Sequence, residues 1–89
     1  MMQVVENHAQ ISGELLSVES DPDRPGFVKL RVRVLEARNA DDWPNLFVGD
    51  VGQTISVISR PGSAAAEARS GPVILRVKKT GPGVSFTDE

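Results

Sequence analysis

Basic side chains recur at every second position in two segments of the chain. Lys29, Arg31 and Arg33 lie in the first segment, and Arg76 and Lys78 lie in the second. Cations at this spacing can contact successive phosphates of a nucleic-acid backbone. An ordinary solvated strand face is the alternative, because charges there also discourage edge-to-edge aggregation of strands. Whether the two segments form one surface depends on which strands the fold places side by side.

The aromatic residues limit how tightly a basic surface could hold a single strand. Bases of single-stranded nucleic acid stack on aromatic rings, at about 1–3 kcal/mol per base. The chain has no tyrosine, and its aromatic residues are Phe27, Trp43, Phe47 and Phe86. We expect the thin core of a small domain to take most of these rings. The basic segments would then make only weak, salt-sensitive contacts with phosphates.

A second candidate surface is the polar, irregular stretch 38–52, which contains Trp43, Phe47, Pro44 and two glycines. An aromatic pair in such a loop could anchor a protein partner, since tryptophan is enriched among the residues that dominate binding energies. The alternative is that Trp43 plugs one open end of the domain. We expect the plug to be the commoner use of a lone tryptophan in a small barrel.

Residue types that form catalytic or metal sites do not combine into a recognisable constellation. His8 is the only histidine and cysteine is absent, so no zinc site or histidine-based triad is visible. We expect His8 to be exposed in the N-terminal segment. Residues 21–26 begin like a calcium loop, but Pro25 and Val32 occupy the fifth and twelfth positions, which favours a solvated turn. We therefore expect no cofactor, no bound metal and no enzymatic activity.

Length and composition predict one domain. The chain has 89 residues and a formal net charge of −2, which argues against strong overall attraction to nucleic acid or anionic lipid. The N-terminus lacks a basic region followed by an apolar stretch, and no apolar run reaches the roughly 18 residues of a membrane span. We expect a cytoplasmic protein without membrane contact. Residues 10–87 should form the domain, with an N-terminal segment 1–9 that could be flexible and a tail at 88–89.

The hydrophobic pattern indicates a mostly β domain that positions these side chains. In the clearest strand, 27–37, apolar residues at even positions alternate with Lys29, Arg31 and Arg33, giving one apolar and one basic face. In the first strand the alternation slips around Gly13, which predicts a β-bulge or a sharp bend. The five predicted strands cover residues 10–19, 27–37, 53–60, 73–79 and 84–86.

A short helix is predicted over residues 63–70, because Ser63 can cap its start, alanines follow, and Gly71 comes just after its end. The resulting order of three strands, a helix and two strands resembles the OB fold, a five-stranded Greek-key barrel. The resemblance is one of topology, and another small barrel or a compact sandwich could share this order. It implies that the face centred on strands two and three, with its flanking loops, binds oligonucleotides or oligosaccharides.

Two functions are compatible with these observations. The first is a non-catalytic binding or assembly module that contacts an unknown protein partner through loop 38–52 or an exposed strand edge. The second is weak single-stranded nucleic-acid binding through the basic faces of strands 28–35 and 73–79. The first is the primary expectation, because the basic faces have few aromatic rings to support them.

Overall fold

The computed structural model describes residues 5–81 and 83–87, and the predicted tail at 88–89 lies outside them, as do residues 1–4. The strands are β1 (Ala9–Ser20), β2 (Val28–Asn39), β3 (Thr54–Ser59), β4 (Gly71–Gly81) and β5 (Val84–Thr87). Helix α1 (Ala64–Ala68) joins β3 to β4, and a 3-10 turn (Val48–Asp50) precedes β3. The strands form a closed barrel, so the prediction of an all-β, OB-like barrel with a short helix between strands three and four is confirmed.

The order of strands around the barrel is β1-β2-β3-β5-β4, and β4 pairs with β1 to close it. Neighbouring strands are antiparallel except β3 and β5, which run parallel and pair at Ile58 and Phe86. Strand β1 therefore lies between the two strands that contain the basic segments. On the opposite side of the barrel, β3 and β5 lie between the same two strands.

Strand β1 bends to pair on both of its sides. Its register with β2 shifts between Ser12 and Gly13 and again between Leu15 and Ser17, which confirms the predicted bulge around Gly13. A bulge increases the local twist and bends the strand, as closure of a small barrel requires. The bend brings β1 so close to β2 that a Cβ atom on Gly13 would lie 2.0 Å from the carbonyl oxygen of Arg33. Only glycine fits at this position.

Apolar side chains from alternate strand positions fill the barrel. Strand β2 contributes Leu30, Val32 and Val34, as its pattern predicts, and all three are completely buried. Phe47 is also completely buried and packs against this cluster from the loop before β3. The Lys79 ammonium lies 5.0 Å from the centre of the Phe47 ring and 3.0 Å from Asp50 Oδ2. Phe47, covered by this ion pair, is the plug of the barrel.

Helix α1 is confirmed but is shorter than the predicted 63–70. Ser63 caps its start, since Ser63 Oγ accepts a hydrogen bond from the backbone N–H of Ala66 at 3.2 Å. Ala66 is partly buried and packs against the core. The helix ends at Ala68 because Arg69 adopts a left-handed backbone conformation, with φ of 65°. Gly71, predicted to follow the helix directly, instead begins β4.

Asn7 ties the segment before β1 to the end of β4. Its Nδ2 donates to the carbonyl oxygens of Val5 (2.8 Å) and Lys79 (2.9 Å), and its Oδ1 accepts from the backbone N–H of Lys79 (2.9 Å). The residue is only 1% exposed. These bonds pair both the N–H and the carbonyl group of the Lys79 backbone. They fix the backbone at the position from which the Lys79 side chain lies over Phe47.

Replacing Asn7 by alanine is expected to lower the free energy of unfolding by about 2 kcal/mol, because buried backbone groups lose their partners. Urea denaturation followed by far-UV circular dichroism measures this loss. Gln10→Ala is the control, since Gln10 is exposed on β1 and its loss should change stability by less than about 0.5 kcal/mol. Equal free energies of unfolding for the two variants would show that the Asn7 hydrogen bonds do not stabilise the fold.

Candidate binding cleft

Four side chains form a row across the outer face of the barrel. The strand registers pair Lys29 with Ile58, Ile58 with Phe86, and Phe86 with Lys78. Each of the four is next to an inward-facing buried residue, Leu30, Val57, Ser85 or Val77, so the four side chains point outwards. Neighbouring strands lie about 4.8 Å apart, so the row extends about 14 Å along the curved sheet from Lys29 to Lys78. The two basic segments thus meet at this row, with an apolar centre between one lysine from each.

A cleft of about 590 Å³ lies over Ile58, Phe86 and Lys78, and Lys29 is at the end of the row, beyond the lining of the cleft. Phe27, immediately before β2, and Phe86, on β5, supply its aromatic rings, and Ile58 is 6% exposed between them. Arg60 and Lys78 supply its positive charge. The remaining lining residues bear hydroxyl groups: Ser59, Thr80 and Thr87. None of the lining residues in the described part of the chain is acidic.

The loop between β1 and β2 adds a further cation to the cleft. Asp21 is buried, and its carboxylate accepts hydrogen bonds from the backbone N–H of Asp23 at 3.0 Å and from Arg24 at 3.4 Å. These bonds hold the loop closed, so the segment is a structured turn in which the Asp21 carboxylate bonds to the turn's own residues. The Arg24 guanidinium lies 5.3 Å from the centre of the Phe86 ring. Arg24 thus covers one face of Phe86, whereas Phe27 is 36% exposed.

Arg31 and Arg33 continue from the row along the outer face of β2, and both are exposed as predicted. On the β3 side their neighbours are Ser56 and Thr54. On the β1 side Arg33 pairs with Glu14, whose carboxylate lowers the positive potential there. The positive surface of β2 is therefore strongest towards β3 and the cleft, and weaker towards β1.

Arg76 lies apart from the other predicted basic residues. It points outwards from β4 opposite Gln10 of β1, and its guanidinium is 3.5 Å from Asp41 Oδ2. Strand β1 separates it from Arg31 and Arg33 on that side of the barrel. The structure thus brings Lys29 and Lys78 into one row, with Arg31 and Arg33 beside it. Arg76 lies outside the cleft, opposite Gln10 of β1.

Trp43 and Phe47, predicted together in loop 38–52, have different environments. Phe47 is the buried plug, so the prediction that Trp43 plugs the barrel is wrong, and Trp43 is 41% exposed. Its ring meets that of His8 edge to face, with centroids 4.9 Å apart. His8 is 8% exposed and its backbone N–H donates to Pro44 O at 3.2 Å, so the prediction of an exposed histidine is also wrong. His8 thus packs against the Trp43 ring.

Of the residues that line the cleft, sequence reasoning identified only Lys78, and it missed the aromatic rings of Phe27 and Phe86 and the cation of Arg60. The expectation that the core takes most of the aromatic rings fails because Phe27 and Phe86 both line the outer cleft. A signal for Phe27 exists in the sequence, since it has the same odd parity as Lys29 and must share the outer face of β2. Phe86 carries no such signal, because its direction depends on its pairing with β4.

The cleft combines flat apolar surface with cations, which suits binding of an anionic ligand that has planar groups. The part of the chain that the structure describes holds no group of three or more histidine, aspartate or glutamate side chains placed to share a metal ion. Within the same residues, no helix is both long and apolar enough to cross a membrane. Comparison with protein-family models, with curated proteins and with solved structures finds no significant match to this chain.

Proposed function

We propose that this protein is a non-catalytic binding module that holds a short stretch of single-stranded nucleic acid in the cleft over β3 and β5. The observation that supports this most is the row Lys29, Ile58, Phe86 and Lys78, with Phe27 and Arg24 beside it. It places aromatic rings beside cations, next to the face of strands two and three on which OB-like barrels commonly bind oligonucleotides. Bases would stack on the rings while their phosphates contact the cations.

The local charge favours this ligand although the whole chain has a net charge of −2. Arg60 and Lys78 line the cleft. Two further cations lie beside it: Lys29, which pairs with Ile58, and Arg24, which covers the Phe86 ring and is ion-paired with Asp21. Three to four phosphate contacts with a single strand correspond to a salt slope of about −2 to −3. The affinity should therefore fall roughly 20- to 50-fold between about 50 and 200 mM salt.

Fluorescence anisotropy with labelled single-stranded DNA and RNA at both salt concentrations tests the proposal. Lys78→Glu is expected to weaken binding at least about 10-fold, because it reverses a charge in the cleft. Arg76→Glu is the matched control, since it lies two residues away on the same strand and changes the net charge equally. Phe27→Ala should also weaken binding by about 5- to 100-fold through lost stacking. Charge reversal at Arg31 and Arg33 should weaken binding further if the bound nucleic acid continues along β2.

Absence of binding at about 50 mM salt would contradict the proposal, since contacts with phosphates are strongest there. Equal losses from Lys78→Glu and Arg76→Glu would also contradict it. That result would mean that overall charge, and not the cleft, determines the affinity.

Contact with a protein partner through loop 38–52 is the second candidate. Trp43, Val48 and Val51 are 41%, 62% and 44% exposed, so this loop presents three large apolar side chains to solvent. A photo-crosslinking residue at Val48 tests it in cells that express the protein. A discrete protein adduct that is lost on Trp43→Ala would favour this candidate. The same adduct from a probe at Glu67, which is exposed on α1, would count against it.

A further inference from the structure

A pair of hydroxyl groups lies between β3 and β5 at the end of the cleft near Arg60. Ser59 and Thr87 directly follow Ile58 and Phe86, the residues at which the two parallel strands pair. Thr87 Oγ1 is 3.2 Å from Ser59 Oγ, so the hydroxyl groups connect the strands one step beyond that pair. Both residues line the cleft.

The hydrogen bonds of this pair run in one direction, away from the cleft. Thr87 Oγ1 donates to Ser59 Oγ, and Ser59 Oγ donates to Ser63 Oγ at 2.9 Å. Ser63 Oγ also accepts from the backbone N–H of Ala66, so the chain of bonds ends at the cap of α1. A hydroxyl group has one proton and two lone pairs. Thr87 therefore gives its proton to the protein, and its oxygen lone pairs remain for a ligand.

A hydrogen-bond acceptor in a positively charged cleft restricts what the cleft can bind. Arg60 and Lys78 attract phosphates, but phosphate oxygens are acceptors themselves and gain nothing from Thr87. The sugar–phosphate backbone of DNA has no donor to offer, whereas ribose has a 2′-hydroxyl on every nucleotide that can donate. An acceptor that loses its water without gaining a donor weakens binding. Bound RNA would therefore satisfy the Thr87 oxygen, and the DNA backbone would not.

The order of groups along β3 and β5 is also the order of the parts of a nucleotide. The Phe86 ring comes first, the hydroxyl pair is one residue further along the strands, and Arg60 comes directly after Ser59. A strand rises about 3.3 Å per residue, so the ring and the cation belong to positions about 7 Å apart along the strands, with the hydroxyl groups between them. In a nucleotide the sugar connects the base to the phosphate. A base on Phe86 and a phosphate at Arg60 would therefore place the sugar beside Thr87.

We infer that the cleft selects single-stranded RNA over single-stranded DNA, with Thr87 Oγ1 accepting a hydrogen bond from a ribose 2′-hydroxyl. This inference rests on the proposed function, because the cleft must hold a nucleic-acid strand for the sugar to matter. A site that hydrogen-bonds a hydroxyl group of its ligand discriminates against the analogue that lacks it. The cations and rings alone would bind RNA and DNA equally.

Fluorescence anisotropy at about 50 mM salt, with three strands of one sequence, tests the selection. The strands have about eight nucleotides of alternating adenine and cytosine and are made as RNA, as DNA and as 2′-fluoro RNA. These bases are the same in RNA and DNA, and 2′-fluoro RNA keeps the shape of ribose without the donor. We expect RNA to bind about 3- to 10-fold more tightly than either of the others.

The possible failures separate the two proposals. Binding of DNA or of 2′-fluoro RNA as tight as that of RNA would overturn the inference and leave the proposed function intact. Absence of binding by all three strands would contradict the proposed function, and the inference with it.

Thr87→Val tests the residue, because valine has the shape of threonine without its hydroxyl group. We expect the affinity for RNA to fall about 3- to 10-fold, to that for DNA, while the affinity for DNA changes less than about 2-fold. Thr80→Val is the matched control, since Thr80 also lines the cleft but lies on the other side of Phe86 from Thr87 in the β4–β5 register. This control should keep the preference for RNA.

Thr87→Ser retains a hydroxyl group and should also keep the preference, and circular dichroism shows whether each variant is folded. Equal losses of RNA binding from Thr87→Val and Thr80→Val would overturn the inference. Loss of the preference in Thr87→Ser, in a folded protein, would overturn it as well.

Discussion

Gly13→Ala is expected to lower the free energy of unfolding by about 3 kcal/mol or more, a large part of the roughly 5–10 kcal/mol of a domain this size. The added Cβ would lie 2.0 Å from Arg33 O, 3.0 Å from Arg33 C and 3.2 Å from Val34 Cα. All three are backbone atoms of the paired strand, so no side chain can rotate away. Relief requires β1 and β2 to separate at the bulge.

Urea denaturation followed by circular dichroism and by the emission of Trp43, the only tryptophan, measures the loss. Gly49→Ala is the matched control, because a Cβ at Gly49 meets nothing within 4 Å and its φ is not positive. This control should change stability by less than about 1 kcal/mol. A Gly13→Ala protein as stable as Gly49→Ala would mean that the two strands are not held this closely.

Phe47→Ala should cost about 3–5 kcal/mol, since it removes a completely buried ring and leaves a cavity at the end of the barrel. The Lys79 ammonium would also lose the ring beneath it, and its ion pair with Asp50 would cover an empty space. The midpoint of urea denaturation reports this change. Because Phe47 is completely buried, we expect its substitution to affect binding only by destabilising the fold.

Trp43→Ala is the comparison for Phe47→Ala, because it removes a larger ring from the same loop. Trp43 is 41% exposed, so its loss should cost about 1–2 kcal/mol, through its contact with His8. The larger side chain thus has the smaller expected effect on stability. The opposite ranking would place Trp43, and not Phe47, inside the barrel.

The parts of the fold that local patterns determine were predictable. Alternation along residues 28–34 is enough to identify β2 and its two faces, and the slip around Gly13 identifies the bend in β1. Ser63 marks the start of α1 correctly. The end of the helix was predicted too late, since a glycine was expected there and Arg69 adopts the left-handed conformation instead.

The candidate cleft was only partly predictable, because it is assembled from four strands. Lys29 and Lys78 are recognisable from the sequence, but their separation by Ile58 and Phe86 follows from strand order and register. The same register places Arg76 opposite Gln10 of β1, outside the cleft. Trp43 and Phe47 illustrate the other limit: hydrophobicity does not decide which of two neighbouring loop aromatics enters the core. That choice depends on the direction of each side chain in the folded loop.

The pairing of β1 with β4 has a consequence for the synthesis of the protein. Asn7 and Lys79 hydrogen-bond although they are 72 residues apart in the chain, so β1 is translated long before its second neighbour exists. Pairings this distant in sequence form slowly. A nascent chain can make the β1–β2 hairpin early, but one edge of β1 stays unpaired until β4 has left the ribosome. During that interval the open edge is exposed to chaperones and to other nascent chains.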